Sequence, residues 1–267
     1  MIEVCIAGAT GWAGRALVAG ILAADDLVLR SAVARSAAGM DLGLALGGPA
    51  MDVPVYGSVA EALDGVDVLI EYTSHAAVKA NALAAIARGV AVVIGASGPT
   101  AADYAEIDAA ARKNSVGVIS SGNFSLTAAM AQAAAMLVAR HLPQAEIIDY
   151  ASATKPDAPS GTSRELAERL AGVRTPVLGR SLEDTGGMRE ARGAAVAGVP
   201  VHSVRLPSFS VSTEVIFGLP DERLTIRHDA GSSATPYVAG TLLAVRLVRG
   251  RVGLTRGLDT LLFESRD

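Results

Sequence analysis

The first half of the chain alternates short continuous apolar runs with longer stretches of helical periodicity. "IEVCIAGATGWAGRALVAGILAA" reads as a buried strand, a glycine turn and a helix. "LVLRSAVARS", "VDVLIEYTS", "VAVVIGASG" and "SVGVISSGN" read as further strands, with Ala-rich helical stretches at 75–89 and 101–113 between the last three. Strands alternating with helices of this length predict βαβ units and a parallel sheet. "TAAD" at 100–103 offers a capping-box-like helix start, with Thr100 as N-cap and Asp103 in the first turn.

The pattern changes after about Asn123. A helical run covers 125–140, and strand patterns follow at "EIIDYAS", "VPVHSVRL", "STEVIFGL" and "ERLTIRHDA", with one clear helix among them at 161–172. This half predicts an α+β lobe with an open mixed sheet. A last helix, "PYVAGTLLAVRLV" at 236–248, is expected to return to the first lobe, and the Gly- and charge-rich stretch 179–198 to be a mobile loop. The expected division is a Rossmann-like dinucleotide-binding domain from 1–123 and 235–267, with a substrate-binding and oligomerisation domain at 124–234.

Composition supports an α/β class: hydrophobic residues make up 51% and aromatics 4%, the bulk coming from small and branched aliphatics. The net charge of −4 is interspersed, which gives no basic footprint for nucleic acid and no polybasic membrane patch, so a small molecule is the expected partner. Cys5, the only cysteine, lies in an apolar strand and excludes an intrachain disulfide framework. No apolar run reaches the roughly 18–20 residues of a membrane span, and the start lacks a basic leader-like region, so a cytoplasmic setting is expected.

Gly8, Gly11 and Gly14 follow the first strand at G-x-x-G-x-x-G spacing and open a helix. A tight turn there lets backbone N–H groups approach a pyrophosphate, although a turn that merely packs a helix on a sheet has the same glycines. Thr10, Trp12 and Ala13 complete this candidate cofactor turn. The second strand ends in Ala34-Arg35-Ser36 with no carboxylate, which favours NADPH, with NADH possible, unless Arg35 is only a solvated surface charge. Three further strand ends supply Tyr72 and Thr73, Gly95 and Ser97, and Gly122, Asn123 and Phe124 as candidate cofactor contacts, where open α/β sheets bind ligands.

In "YASATKPDAPSGTSREL", Ser160-Gly161-Thr162 begins a helix after Pro159, a setting that suits a carboxylate or phosphate. Lys155 adds a full charge. An ordinary N-cap beside an exposed lysine would look the same. His75, His141, His202 and His228 are scattered without i, i+3 or i, i+4 pairing, so no metal site is expected.

The glycine turn with "VIGASG", "SGNFSLTAAM", "EIID", "KPDAPSGT" and "RLTIRHDAGSS" resembles the 4-hydroxy-tetrahydrodipicolinate reductase (dihydrodipicolinate reductase) family of lysine and diaminopimelate biosynthesis, over nearly the whole chain. The resemblance implies a homotetramer built through the second lobe's sheet, and hydride transfer from NAD(P)H to a cyclic unsaturated imine dicarboxylate. It also implies that Lys155, Ser160, Gly161 and Thr162 hold the substrate's carboxylates. The chain departs from the family where a His-His pair is expected as general acid and substrate partner, because Ala151 and Ser152 stand there. The family's Gly-Phe-…-Arg segment is also altered, reading Pro200-Val201-His202-Ser203-Val204-Arg205. Tyr150 or water is left as the candidate acid, with His202 the other alternative. The leading expectation is an NADPH-dependent imine reductase. An amine or amino-acid dehydrogenase on the same fold, and a nucleotide-sensing protein that has lost turnover, are the alternatives.

Overall fold

The computed structural model describes residues 1–263 and divides into two compact units, one of residues 1–126 with the segment from Ala234 onward, the other of residues 127–233.

The first unit runs β1 (Ile2–Ala7), α1 (Trp12–Leu22), β2 (Leu27–Val33), the short α2 (Leu42–Ala45), β3 (Val55–Tyr56), α3 (Val59–Ala62), β4 (Val68–Glu71), α4 (Val78–Ala87), β5 (Ala91–Ile94), α5 (Ala101–Lys113) and β6 (Gly117–Ser120). Between them the chain forms the second unit: α6 (Leu126–Ala139), β7 (Gln144–Ala151), α7 (Gly161–Val173), β8 (Ala194–Val196), β9 (Val199–Arg205), β10 (Val211–Leu219) and β11 (Glu222–Ala230). It then returns as α8 (Pro236–Val248), β12 (Gly253–Arg256) and α9 (Leu258–Phe263).

Seven parallel strands form the first sheet in the order β12-β6-β5-β4-β1-β2-β3. Every residue of β4, β5 and β6 is buried, as a parallel sheet covered on both faces requires, and this is why these strands read as continuous rather than alternating apolar runs. The winding direction reverses between β1 and β4, which opens a crevice at their carboxyl ends. Thr100 and Asp103 form both halves of the capping box at α5. The returning α8 fits through glycines: a Cβ on Gly240 would lie 2.0 Å from the Phe124 carbonyl oxygen, and one on Gly20 of α1 would lie 2.3 Å from Val238. β12 and α9 extend the first unit beyond that helix. The hydrophobic pattern did not disclose them, because a four-residue strand of "GLTR" has no period to read. Cys5 is buried in β1, and burial pushes its thiol up to about 12.

The second unit is an open mixed sheet in the order β11-β10-β7-β9-β8, with β7 and β9 parallel and the other neighbours antiparallel. Its inner face packs on α6 and α7 through Ile147, Val201, Val215 and Phe217 against Ala135, Ala139, Leu166 and Leu170. Strand β7 keeps a strict alternation, with Ala145, Ile147, Asp149 and Ala151 buried and Glu146, Ile148 and Tyr150 half-buried on the other face. The expected loop at 179–198 ends differently: Ala194–Val196 is an edge strand paired with β9 through the two-residue turn Ala197-Gly198, both at positive φ. That is the backbone of a hairpin turn usually announced by Asn-Gly, so Ala-Gly gave no signal. Among the described residues no helix is long and apolar enough to cross a membrane.

Asp149 is the anomaly of the inner face, an acid with no exposed surface in phase with Ile147 and Ala151. Its carboxylate accepts from the Ser160 amide (2.9 Å) and hydroxyl (2.5 Å), the hydroxyls of Ser163 (3.0 Å) and Ser203 (3.1 Å), and the Arg205 guanidinium (2.7 Å). Burial pushes its pKa up, but the bonds from Ser160 and Arg205 outweigh burial and hold it below the usual carboxylate range. Asp149→Asn should therefore destabilise the protein by about 3 kcal/mol near neutral pH, since it removes one partner of a buried ion pair. A carboxylate with a depressed folded pKa contributes its stability above the unfolded value of about 3.9 and loses it as pH falls through the folded value. Urea titrations from pH 7 to pH 3 should show the difference between wild type and variant narrowing at the acid end. A difference independent of pH would mean that the carboxylate's charge contributes nothing.

Candidate active site

The first unit presents a crevice of about 970 Å³ at the switch point. Gly8, Thr10 and Gly11 line one side, the β2 end at Ala34, Arg35 and Ser36 another, and Tyr72, Thr73 and Asn81 the wall beyond β4. The glycines are set by contact rather than by flexibility. Gly8 has φ +88°, and a Cβ there would lie 2.5 Å from the Tyr72 carbonyl oxygen, while one on Gly14 would lie 2.1 Å from the Gly8 carbonyl oxygen. Gly11 is the N-cap of α1, whose first turn carries no acid, so the helix offers N–H groups and a positive dipole end to an anion. Trp12 and Ala13 are the first residues of that helix. The exposed Trp12 ring packs edge-on against Tyr237 at 5.6 Å. These features fit a dinucleotide: the tight glycine turn, closely packed on the backbone of Ala9 and Tyr72, brings Gly8, Thr10 and Gly11 to the crevice wall, and no Asp or Glu lines the crevice.

Arg35 opens a short 3-10 turn directly after β2 and is exposed in the crevice wall with Ser36, Gly57 and Ser58. Thr73 and Asn81 are held from behind by Glu71, a buried acid that ends β4. It accepts from the Thr73 hydroxyl, from the Thr73 amide (3.3 Å) and from the Asn81 amide (3.0 Å), and burial raises its pKa against these bonds. The Tyr72 hydroxyl meets Thr241 of α8 at 3.0 Å, and its desolvation raises the phenol above its ordinary range. A Cβ on Gly95 would strike the Tyr72 ring, 2.0 Å away, so Gly95 is there to admit that ring. Gly95, Ser97, Gly122, Asn123 and Phe124 follow β5 and β6 and do not line the crevice. Ser97 is exposed. Asn123 and Phe124 are buried, with Asn123 accepting from the Ser125 amide at 2.8 Å and the Phe124 ring 6.3 Å from that of Tyr72.

In the second unit, Lys155 stands in the loop between β7 and α7, paired with Asp157 at 2.6 Å and about one quarter exposed. Ser160 is the N-cap of α7, yet its amide and hydroxyl already serve Asp149, and its oxygen accepts from the Ser163 amide at 3.3 Å. What this terminus offers an anion is therefore the start of the first turn at Gly161, whose amide has no carbonyl to bond within the helix. No acid occupies that turn. Arg205 binds the Asp157 carbonyl (2.8 Å) as well as Asp149, and so fixes the loop that carries Lys155.

Tyr150 and His202 lie on the outer sheet face. Tyr150 donates to Glu214 (3.2 Å) under the Arg227 guanidinium and beside Phe209, and His202 meets Glu146 at 2.8 Å. The alternation of β7 separates Tyr150 from Asp149 and the start of α7, so the candidate acid of the sequence reading faces away from the anion site. Ala151 is fully buried opposite Arg205 in the ladder, and the Ser152 hydroxyl turns to Thr154 at 3.1 Å. Among the described residues no group of three or more His, Cys, Asp or Glu is placed to hold a metal ion.

Asp149, Arg205, Glu71 and Asn81 are the site residues that sequence reasoning missed. The signal for Asp149 was its phase, because an acid at a core position of an alternating strand is a buried carboxylate. For Glu71 it was an acid closing an otherwise apolar strand.

Residues 2–124 match the family model described as dihydrodipicolinate reductase, N-terminus, and residues 123–262 the one described as dihydrodipicolinate reductase, C-terminus. The 4-hydroxy-tetrahydrodipicolinate reductase of Thermosynechococcus vestitus is 37% identical over 268 residues, which cover 98% of this chain and 97% of that protein. That of Moorella thermoacetica is 37% identical over 264 residues, 98% of each chain. Among solved structures, the dipicolinate-bound dihydrodipicolinate reductase from Paenisporosarcina sp. TG-14 superposes with a TM-score of 0.75 at 28% identity, covering 97% of this chain and 99% of that one. An amine dehydrogenase from Mycobacterium smegmatis, at 15% identity and a TM-score of 0.64 over 97% of this chain and 95% of that one, shares the fold alone. With both family models together spanning nearly all of its length, the chain belongs to the dihydrodipicolinate reductase family of nicotinamide-dependent oxidoreductases.

Proposed function

We propose that this protein is an NADPH-preferring reductase of a cyclic imine that carries carboxylates, the reaction for which its relatives are named or one close to it. The observation that carries the reading is an α7 N-terminus with no acid in its first turn, preceded in the same loop by Lys155, in the second unit, while the first unit holds a glycine turn fit for a dinucleotide. The dipicolinate bound to the Paenisporosarcina relative supports a planar dicarboxylate as the ligand class. A bound NADPH supplies the hydride. Gly8, Thr10, Gly11 and the α1 amides hold its pyrophosphate, and Arg35 with Ser36 and Ser58 receives the 2′-phosphate. Thr73 and Asn81, fixed by Glu71, line the crevice beyond β4. In the second unit Lys155 and the Gly161 and Thr162 amides hold the substrate's carboxylates, and Ser160 works through Asp149 to fix the position of those amides. We also propose a cytoplasmic homotetramer, on the family resemblance.

An arginine that engages a 2′-phosphate adds a modest preference, so NADPH should bind more tightly than NADH by up to about tenfold, or ~1.4 kcal/mol. In calorimetry Arg35→Ala should bring the two affinities together. Equal or tighter NADH binding by the unmodified protein would overturn the NADPH assignment.

Lys155 contributes a charge-assisted contact worth roughly 1.5 to 3 kcal/mol. Lys155→Ala should weaken pyridine-2,6-dicarboxylate binding about 10- to 100-fold while leaving NADPH affinity within twofold. Unchanged dicarboxylate affinity would make Lys155 a structural partner of Asp157 only. Cofactor oxidation with a panel of cyclic imine carboxylates separates the remaining readings. Turnover supports the reductase, cofactor reduction with amines or amino acids supports the oxidative alternative, and binding without turnover supports a sensing role.

A further inference from the structure

The second unit encloses a cavity of about 20 Å³ between α6, α7 and the inner sheet face, room for one water. Its polar lining is Gln132, Thr162, Thr213 and His228, and the rest is small or branched apolar side chains. Gln132 is 4% exposed, and its side-chain nitrogen has no hydrogen-bond partner, while its oxygen accepts from Arg169 at 3.4 Å. A buried amide donor is costly to leave unpaired, and a water in the cavity, within a mostly apolar lining that includes four polar residues, meets the need. His228 enters from β11 opposite Thr213, and its Nε2 lies 3.0 Å from the Thr127 hydroxyl, a bond that does not use Nδ1.

Of the four histidines, His228 alone shares the inner face with Asp149 and the start of α7. His202 is on the outer face, His141 follows α6 at the surface, and His75 belongs to the first unit. Thr162 is common to the cavity and to the Ser-Gly-Thr segment, so a water in the cavity borders the proposed carboxylate site.

We infer that this cavity is a proton-relay site, in which one water held by Gln132 links His228 to the ligand at Thr162, and that His228 supplies the proton accompanying hydride transfer. The inference rests on the imine-reductase reading. The hydride bonds to the electron-poor carbon of the conjugated imine, and the π electron pair shifts to the far atom of that system. That atom takes a proton from the water as its O–H bond breaks, and the imidazolium N–H bond breaks to restore the water. The substrate gains the two electrons that the reduced cofactor loses, and the neutral imidazole is reprotonated from solvent. His228 acts through the water, so it is a positioning and proton-supplying residue rather than one in contact with the substrate.

Burial holds the His228 imidazole below its ordinary range, and Asp229 beside it opposes that shift. The other charged groups near it are Arg227 on its own strand, Glu165 and Arg169 on α7, and Asp149 behind Thr213 and Ser163, while α6 contributes none. The acid form is therefore favoured by lower pH, and kcat should rise as pH falls toward the imidazole's pKa.

The test uses the full-length protein. His228→Gln should keep NADPH and pyridine-2,6-dicarboxylate affinities within about twofold, lower kcat at least tenfold and remove the acid rise from the pH profile. Gln132→Leu should lower kcat less and keep that rise. In parallel, NMR titration of the His228 ring in the unmodified protein should show its pKa raised when the dicarboxylate binds, an effect that packing alone does not produce. If the wild type reduces imines and His228→Gln leaves kcat and its pH profile unchanged, the relay is overturned and the reductase reading stands. If the wild type reduces no imine, the reductase reading fails, and an NMR titration unmoved by the dicarboxylate overturns the link between His228 and the ligand site as well.

Discussion

A single buried anion organises the second unit. Asp149 has no exposed surface, and an isolated charge there would be prohibitive, so the chain surrounds it with donors from two elements: Ser160 and Ser163 at the α7 start, and Ser203 and Arg205 on β9. Each donor belongs to an element that must be in place for the charge to be tolerated. The amide and hydroxyl of Ser160 set where α7 begins, and with it where the Gly161 amide points. Arg205 reaches past Asp149 to the Asp157 carbonyl and so fixes the loop of Lys155. The proposed anion site is thus preorganised by a carboxylate that we do not count among its contacts.

Glu71 does a comparable task in the first unit with weaker means. It is as buried as Asp149, but its donors are Thr73 and Asn81, both neutral, so burial prevails and its pKa rises where that of Asp149 falls. The contrast follows from magnitudes. Asp149 has the Ser160 hydroxyl and amide and, beyond them, a guanidinium whose bond is roughly twice as strong as one between neutral groups, and together these offset its desolvation. Thr73 and Asn81, which line the crevice, are therefore steered by a group closer to neutrality than its chemistry suggests.

Much of this was legible in the sequence because it depends on local chemistry. The glycine turn, the Thr100 capping box, the helix after Pro159 and the five central strands each announce themselves within a dozen residues. What stayed hidden needed a partner distant in sequence. Asp149 finds Ser203 and Arg205 some fifty residues away, and the separation of Tyr150 from the anion site follows from the pairing of β7 with β10 and β9 rather than from its place next to Ala151. Ser160 was legible as an N-cap but not as one already engaged by Asp149. β12 and β8 are too short to carry a period, and they exist because a neighbouring strand edge takes them up.

Ala151 and Ser152, which stand where the family resemblance implies a histidine pair, offer no group that holds charge or titrates near neutral pH. Ala151 is buried directly across from Arg205, so a larger side chain there would have to displace that guanidinium or strain a close-packed strand. Arg205 and Lys155 both carry positive charge into this end of the sheet, but an arginine does not release its proton near neutral pH, and Lys155 is engaged with Asp157. Each of these cations is already paired with a carboxylate, Arg205 with Asp149 and Lys155 with Asp157. Among the described residues the inner face offers one imidazole, His228, which lines the water-sized cavity together with Thr162. The proton source we propose on the cavity wall would leave the proposed carboxylate contacts unchanged, because the placement of the α7 start depends on Asp149 and not on Ala151 or Ser152.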